Sequence, residues 1–162
     1  MLTFQDLYET YAPDVYRFAV WLAGDQSEAE DITSETFVRA WVHIDRIRTE
    51  TLKGYLFAIA RNLFLEQQRK RKRHVVLHDI YPDPAPGPGK VIEARLQIRN
   101  IQQVLDTFPE VDRTAFILRI QHELPYDEIA RVLRISLTNT KVKVHRIRKQ
   151  LFSLCMEKEA RQ

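Results

Sequence analysis

The sequence predicts an all-α chain: two small helical domains, a three-helix unit and a helix-turn-helix unit, joined by an extended Pro-rich linker. Three observations carry that expectation. Apolar residues recur at steps of three and four along most of the 162 residues. Strand-like alternation is scarce. In residues 79–90 (DIYPDPAPGPGK), Pro82, Pro84, Pro86 and Pro88 are interleaved with Gly87 and Gly89, which excludes a helix interior and favours a semi-rigid, extended backbone. The chain therefore divides into a domain over 1–73, a linker over 74–90 and a domain over 91–158. Each half is large enough for a small helical core but marginal in stability.

The first helix is expected from about Phe4 to Ala23, because Leu7, Tyr11, Val15, Phe18 and Leu22 draw one apolar stripe, and Gly24 ends it. Ser27 with Glu30 reads as a capping box for the second helix, whose Ile32, Thr36, Phe37, Ala40, Trp41 and Ile44 face inward. A third begins near Thr51, buries Leu52, Tyr55, Leu56, Ile59, Leu63 and Phe64, and runs out into the basic cluster Arg69, Lys70, Arg71, Lys72 and Arg73. Beyond the linker, one helix spans about Val91 to Thr107 and stops at Pro109. Another runs from about Glu110 to His122 with Val111, Ala115, Leu118 and Phe116 toward the core.

Residues 124–151 (LPYDEIARVLRISLTNTKVKVHRIRKQL) then read as two helices joined by a tight turn. Ile129, Ala130 and Leu133 recur at helical spacing, and Asp127 and Glu128 sit where the macrodipole favours negative charge. Ile135 packs the turn, and Ser136 is a good N-cap for a helix from Leu137 to about Phe152. On that helix Leu137, Val144, Ile147 or Arg148, and Leu151 fall inward, while Thr138, Lys141, Val142, His145, Arg146 and Lys149 fall outward. Short polar side chains first and cations behind them suit a DNA major groove, the former reaching base edges and the latter phosphates. The plainer alternative is a solvated basic helix in an ordinary bundle. Two features depart from an ideal motif: Arg134 stands where the turn prefers a Gly able to take positive φ, and Pro125 stands where a capping Ser or Thr is usual.

The net charge of +3 conceals segregation. From Asp25 to Glu35 the ionisable residues are all acids, Asp25, Glu28, Glu30, Asp31 and Glu35; from Arg61 to Arg73 only Glu66 opposes six cations. Two cationic surfaces and one acidic surface imply at least two kinds of partner, nucleic acid being the match for the cations. No apolar run approaches the ~20 residues of a membrane span. There is no secretory start, and the single Cys155 has neither a CxxC partner nor a nearby His pair, so a reduced, cytoplasmic setting without metal or cofactor is expected. His78-Asp79 has the form of a metal-hydrolase dipeptide but lacks further ligands at suitable spacing. GxxxxGK[ST], HExxH and GxSxG are all missing, so no catalytic residues are expected and the chain does not read as an enzyme.

At this point the residues carry a family resemblance. AEDITSETFVRAW (29–41) followed by GYLFAIARNLFLEQQRKRKR (54–73) resembles region 2 of the extracytoplasmic-function (ECF) sigma factors of bacterial RNA polymerase, and PYDEIARVLRISLTNTKVKVHRIRKQL resembles their region 4 in order and spacing. The resemblance covers nearly the whole chain. It implies a transcription initiation factor that binds core polymerase and reads the −10 and −35 promoter elements. By the same resemblance, Asp31, Ser34, Glu35 and Arg39 on the second helix would dock on the β′ clamp helices of the polymerase. Arg61, Asn62, Phe64, Gln67 and Gln68, with Arg69, Lys70 and Arg71, would meet the −10 element as its strands part, bases being captured by stacking and edge contacts. The loop from Asp45 to Thr51 corresponds to the family's pocket for a flipped base.

In the second domain Lys141, Val142, His145 and Arg146 match the −35-reading positions, with Thr138, Asn139 and Lys143 as phosphate or flanking contacts. Here Thr138-Asn139-Thr140 replaces the family's usual Gly-Thr-Val and Val142 replaces a small polar residue, so an apolar contact such as a thymine methyl is expected at Val142. ECF factors are commonly held inactive by an anti-sigma partner, which the linker would permit. The competing class is a stand-alone two-module helix-turn-helix repressor or activator, which has no need of the acidic helix or the IARN segment.

Overall fold

The structure, a computed structural model, describes residues 1–48, 51–73 and 100–161. Linker 74–90 with His78 and Asp79, and the first part of the helix expected from Val91, lie outside the described residues. Helices α1 (Phe4–Ala23), α2 (Gln26–Val42) and α3 (Leu52–Arg73) make the N-terminal unit, with one 3-10 turn at Ile44–Arg46. The C-terminal unit is α4 (residues 100–106), α5 (Glu110–Ile120), α6 (Tyr126–Leu133) and α7 (Leu137–Ala160). Among the described residues there is no strand, and no helix is long and apolar enough to cross a membrane.

Local chemistry sets the boundaries. Thr3 and Asp6 form a reciprocal cap for α1: the Asp6 amide donates to Thr3 Oγ1 at 3.1 Å and the Thr3 amide donates to the Asp6 carboxylate at 3.0 Å. Gly24 closes the helix at φ 68°, a left-handed conformation where a Cβ would be strained. The helix is capped two residues sooner than the Ser27–Glu30 capping box requires. Asp25 is the cap of α2 instead, its carboxylate accepting from the Ser27 amide at 2.8 Å.

Leu7, Val15, Phe18 and Leu22 of the expected α1 stripe are buried and Tyr11 is half-buried. Trp41 corrects the expectation for α2. It lies near the helix end at 37 % exposure, packed edge-to-face with Phe4 at 5.6 Å between ring centroids, beside the exposed Val38 and Val42. On α3 the buried set is wider than one stripe: Phe57 and Ala60 are fully buried alongside Leu52, Leu56, Leu63 and Phe64, while Tyr55 and Ile59 are only half-buried. The reason is that α3 is covered on two sides, by α1 and α2 on one and by the C-terminal unit on the other.

α5 ends two residues before the expected His122. The chain reverses through Glu123 at φ 54°, and the Leu124 amide returns to the Leu118 carbonyl at 3.1 Å. Pro125 stands immediately before α6 as its cap residue, with φ −60° and ψ 148°. Arg134 takes the left-handed conformation (φ 55°, ψ 44°) that the turn demands in spite of its Cβ. The Ile135 amide then reaches back to the Ala130 carbonyl at 3.1 Å, the long bond of a Schellman closure. Ser136 caps α7 as expected, accepting from the Asn139 amide at 3.1 Å. Leu137 is 44 % exposed rather than inward, and Thr140, Val144 and Ile147 fill the inner side. The two helical units expected from the sequence are both present, and among the described residues they pack against each other: one contiguous apolar cluster runs from Leu7 through Phe57 to Leu118, Ile129 and Val144.

Candidate nucleic-acid and docking surfaces

On α2 the buried Ile32, Thr33, Thr36, Phe37 and Ala40 turn the opposite face to solvent, and Asp31, Ser34, Glu35 and Arg39 all lie exposed on it. Arg39 Nε donates to Glu35 at 2.8 Å and its Nη1 lies 3.6 Å from Glu66 of α3. The Glu35 hydrogen bond raises the Arg39 guanidinium above its ordinary value. The result is a ridge of carboxylates with one braced cation, flanked by the apolar Val38, Trp41 and Val42.

The α3 surface divides. Asn62, Arg69 and Lys70 are exposed, and Gln67 and Gln68 are half-buried. Phe64 is 3 % exposed and belongs to the core, which removes it as a base-stacking residue. Arg71 stays exposed along most of its side chain, but its Nη2 donates at 2.6 Å to the buried Glu28 of α2. Arg61 is held by the other unit: its Nε and Nη2 donate as a fork to Glu110 of α5 at 2.7 and 2.9 Å. Burial alone would raise the Glu110 carboxyl. Hydrogen bonds from Arg61 and Thr114, with the Arg61 and Arg113 charges, outweigh it and hold that carboxyl below its ordinary value. Of the loop from Asp45 to Thr51, residues 49–50 lie outside the described residues.

On α7, Thr138, Asn139, Lys141, Val142, His145 and Arg146 are exposed together, Val142 at 41 %. Lys143 differs: half-buried, it donates from Nζ to Asp112 at 2.7 Å and ties α7 to α5. The helix is aimed by its inner residues and by Tyr126, whose ring lies 4.4 Å from the Arg119 guanidinium and 5.9 Å from Lys141 Nζ.

Sequence reasoning singled out neither Glu110 nor His122 as contacts between the units. His122, 7 % exposed, lies between Phe57 (ring centroids 4.6 Å apart) and Phe18 (6.0 Å) of the N-terminal unit. Desolvation pushes its imidazole down to about 4; Asp14 opposes that shift, while Lys53 and Arg17 add to it. Gly54 in the first turn of α3 was a legible signal, since Gly there weakens a helix without capping it. A Cβ at that position would lie 3.7 Å from Val132 of α6.

A pH dependence follows from His122. Its packed form resists protonation, so the stabilisation is whole above about pH 6.5 and is lost as pH falls toward 4. The expected loss is on the order of 1 kcal/mol per pH unit in that window. Denaturant titrations across it measure the slope, and His122→Phe, which keeps an aromatic ring between Phe18 and Phe57, should flatten it.

Comparison with known proteins bears on both units. The family model for sigma-70 region 2 matches residues 7–74, and that for sigma-70 region 4 matches residues 98–151. Over 158 residues the chain is 32 % identical to the ECF RNA polymerase sigma factor SigM of Bacillus subtilis, covering 94 % of this chain and 95 % of that protein. With SigW of the same organism identity is 30 % over 169 residues, covering 93 % of this chain and 90 % of the relative. Among solved structures, the sigma factor RpoE of Bartonella quintana in complex with the anti-sigma factor NepR matches at a TM-score of 0.75 and 26 % identity, over 94 % of this chain and 96 % of that one. CnrH in complex with the cytosolic domain of CnrY shares the fold at a TM-score of 0.70 and 20 % identity, over 95 % of this chain and 88 % of that one.

Proposed function

This chain belongs to the ECF family of RNA polymerase sigma factors, and from that premise we propose how its surfaces divide the work of promoter recognition. The N-terminal unit docks on core polymerase through Asp31, Ser34, Glu35 and Arg39, against a basic partner helix of the β′ clamp. Charge complementarity steers that encounter and fixes its register. The apolar Val38, Trp41 and Val42 beside the ridge add desolvated area that a purely ionic contact would lack.

Asn62, Gln67, Arg69 and Lys70, together with Arg61 once it is released, engage the −10 element, and the exposed face of α7 reads the −35 element. On α7, Lys141 and Arg146 supply cations, Thr138, Asn139 and His145 polar edge contacts, and Val142 an apolar contact for a thymine methyl. The chain recognises and positions; RNA synthesis belongs to the polymerase. A partner of the anti-sigma class is part of the same reading, supported by likeness to a sigma factor seen in complex with one.

The observation that carries this reading is the exposure, on one chain, of an acidic ridge on α2 and a basic helix face on α7. A stand-alone repressor uses the second and has no use for the first. Run-off transcription with core polymerase and a promoter library tests it. Initiation that depends on this chain is expected, whereas tight duplex binding with no transcript would favour the repressor.

A further inference from the structure

The basic run that ends α3 contains one arginine held differently from its neighbours. Arg71 keeps 58 % of its side chain exposed, yet its Nη2 donates at 2.6 Å to Glu28 of α2, whose side chain is only 4 % exposed. The second carboxylate oxygen, Glu28 Oε1, is buried and has no hydrogen-bond partner among the described residues. The bond from Arg71 is thus what offsets burial of the Glu28 charge. Swinging Arg71 away would leave an uncompensated buried carboxylate, so the guanidinium is pinned. Pinning does not use it up. Nη2 carries two N–H groups, and with one given to Glu28 the other still runs parallel to an N–H of Nε or Nη1, leaving a two-donor fork. A cleft of about 360 Å³ opens beside the pair, between the start of α2 and the end of α3, and Asp25, Asp31, Gln67 and Lys70 line it as well.

We propose that Arg71, aimed by Glu28, reads the guanine of a G·C base pair in the duplex flanking the −10 element, and that Glu28 is the positioning residue for this contact. The proposal rests on the assignment of α3 to the −10 element made above. Charge in the cleft selects the ligand. A phosphate would sit among the carboxylates of Asp25, Glu28 and Asp31 and is repelled by them. A base-pair edge is neutral: guanine offers O6 and N7, two acceptors matched to the remaining fork, and its paired cytosine offers the N4 amine to a carboxylate. Adenine, with one acceptor and one donor on that edge, leaves half of the fork unpaired. Place along the helix selects duplex over separated strands. Arg71 stands about 28 Å from Leu52 at about 1.5 Å per residue of helix. With α3 following the DNA, that is about eight base-pair steps from the flipped-base loop. Arg69 and Lys70, exposed on the same turn, are left for the phosphates.

The test uses holoenzyme assembled from core polymerase and the full chain, on promoter duplexes randomised across the paired flank of the −10 element. The unaltered chain should favour G·C over A·T about tenfold at one position of that flank. Arg71→Ala should abolish the preference while leaving the slope of log affinity against log salt unchanged. Glu28→Gln, which keeps the shape and one acceptor oxygen but not the charge, should lower the preference at least threefold. Because Arg71→Ala leaves a bare buried carboxylate, the double variant with Glu28→Gln completes the cycle; it should match Arg71→Ala in preference, since a positioning residue has nothing left to position. A salt slope lowered by about 0.9 in Arg71→Ala would make Arg71 a phosphate contact and overturn the proposal. So would a Glu28→Gln variant that weakens binding equally on every flank, which is the mark of a merely structural bracket. The two readings fail separately. A holoenzyme that selects a −10 element with no flanking guanine removes the reader and keeps the sigma assignment, whereas one that selects no promoter at all removes both.

Discussion

Glu35→Lys should detach the chain from core polymerase while leaving its fold and its duplex-DNA affinity unchanged. Glu35 stands in the middle of the exposed α2 ridge with a side chain 48 % exposed, and its only described ionic partner is Arg39, one turn away at 2.8 Å. Reversing its charge changes the ridge by two units, sets Lys against Arg39 on the same face, and frees Arg39 to repel a basic partner helix. Like charges brought together across an interface cost several kcal/mol, so a loss of at least tenfold in affinity, about 1.4 kcal/mol or more, is the conservative expectation. Stability should barely move, because an exposed i,i+4 pair contributes only about 0.3–0.5 kcal/mol. Co-sedimentation with core polymerase, thermal melting and duplex binding read the three quantities separately. Holoenzyme assembly at wild-type affinity would take Glu35 out of the docking surface.

Much of the architecture was legible because helical periodicity and caps are local properties. The α1 stripe, Gly24 as its stop, and Ser136 as the cap of α7 all depend on residues within one turn of each other. Errors arose where long-range packing outweighed the local pattern. Phe57 and Ala60, which the expected inward set of α3 did not include, are fully buried, and Phe57 meets His122 of the second unit. Trp41 and Leu137 read as core and are partly exposed, each near a helix terminus, Trp41 meeting only the edge-on ring of Phe4 among aromatic side chains.

The same distinction governs the site. Exposure of Asp31, Glu35, Lys141 and Arg146 follows from their helical phase, which a single sequence states directly. Three other cations, Arg61, Arg71 and Lys143, have equally suitable phase yet are engaged by Glu110, Glu28 and Asp112, from 31 to 49 residues away in the chain. Nothing in the spacing of a helix reports an ion pair made to a different helix. Gly54 came nearest to such a report, as a helix-weakening residue whose reason lies in α6.

Replacing Lys141 and Arg146 together by Ala should produce the largest loss of promoter-duplex binding available on α7 without a loss of fold. Both side chains are exposed, and the helix beneath them is held by Thr140, Val144 and Ile147. Surface truncations of this kind stay within about 0.5 kcal/mol of wild-type stability. Deleting a side chain that grips DNA costs about 1–3 kcal/mol, and where it grips a phosphate the slope of log affinity against log salt also falls by about 0.9. The double variant should therefore bind a −35 duplex at least thirtyfold more weakly, at roughly 2 kcal/mol or more in total. If both residues touch phosphate the salt slope falls by nearly 2, and if Arg146 reads a guanine edge it falls by about 1.

Lys143→Ala is the discriminating control. It removes a cation from the same helix, but one committed to Asp112, and leaves a 7 % exposed carboxylate without that partner. Its cost should appear in the melting temperature, equivalent to about 1–3 kcal/mol, with the salt slope intact. If the slopes of the two variants were the same, the division of α7 into a reading face and a bracing face would be wrong, since that division rests on which cations are already paired inside the protein.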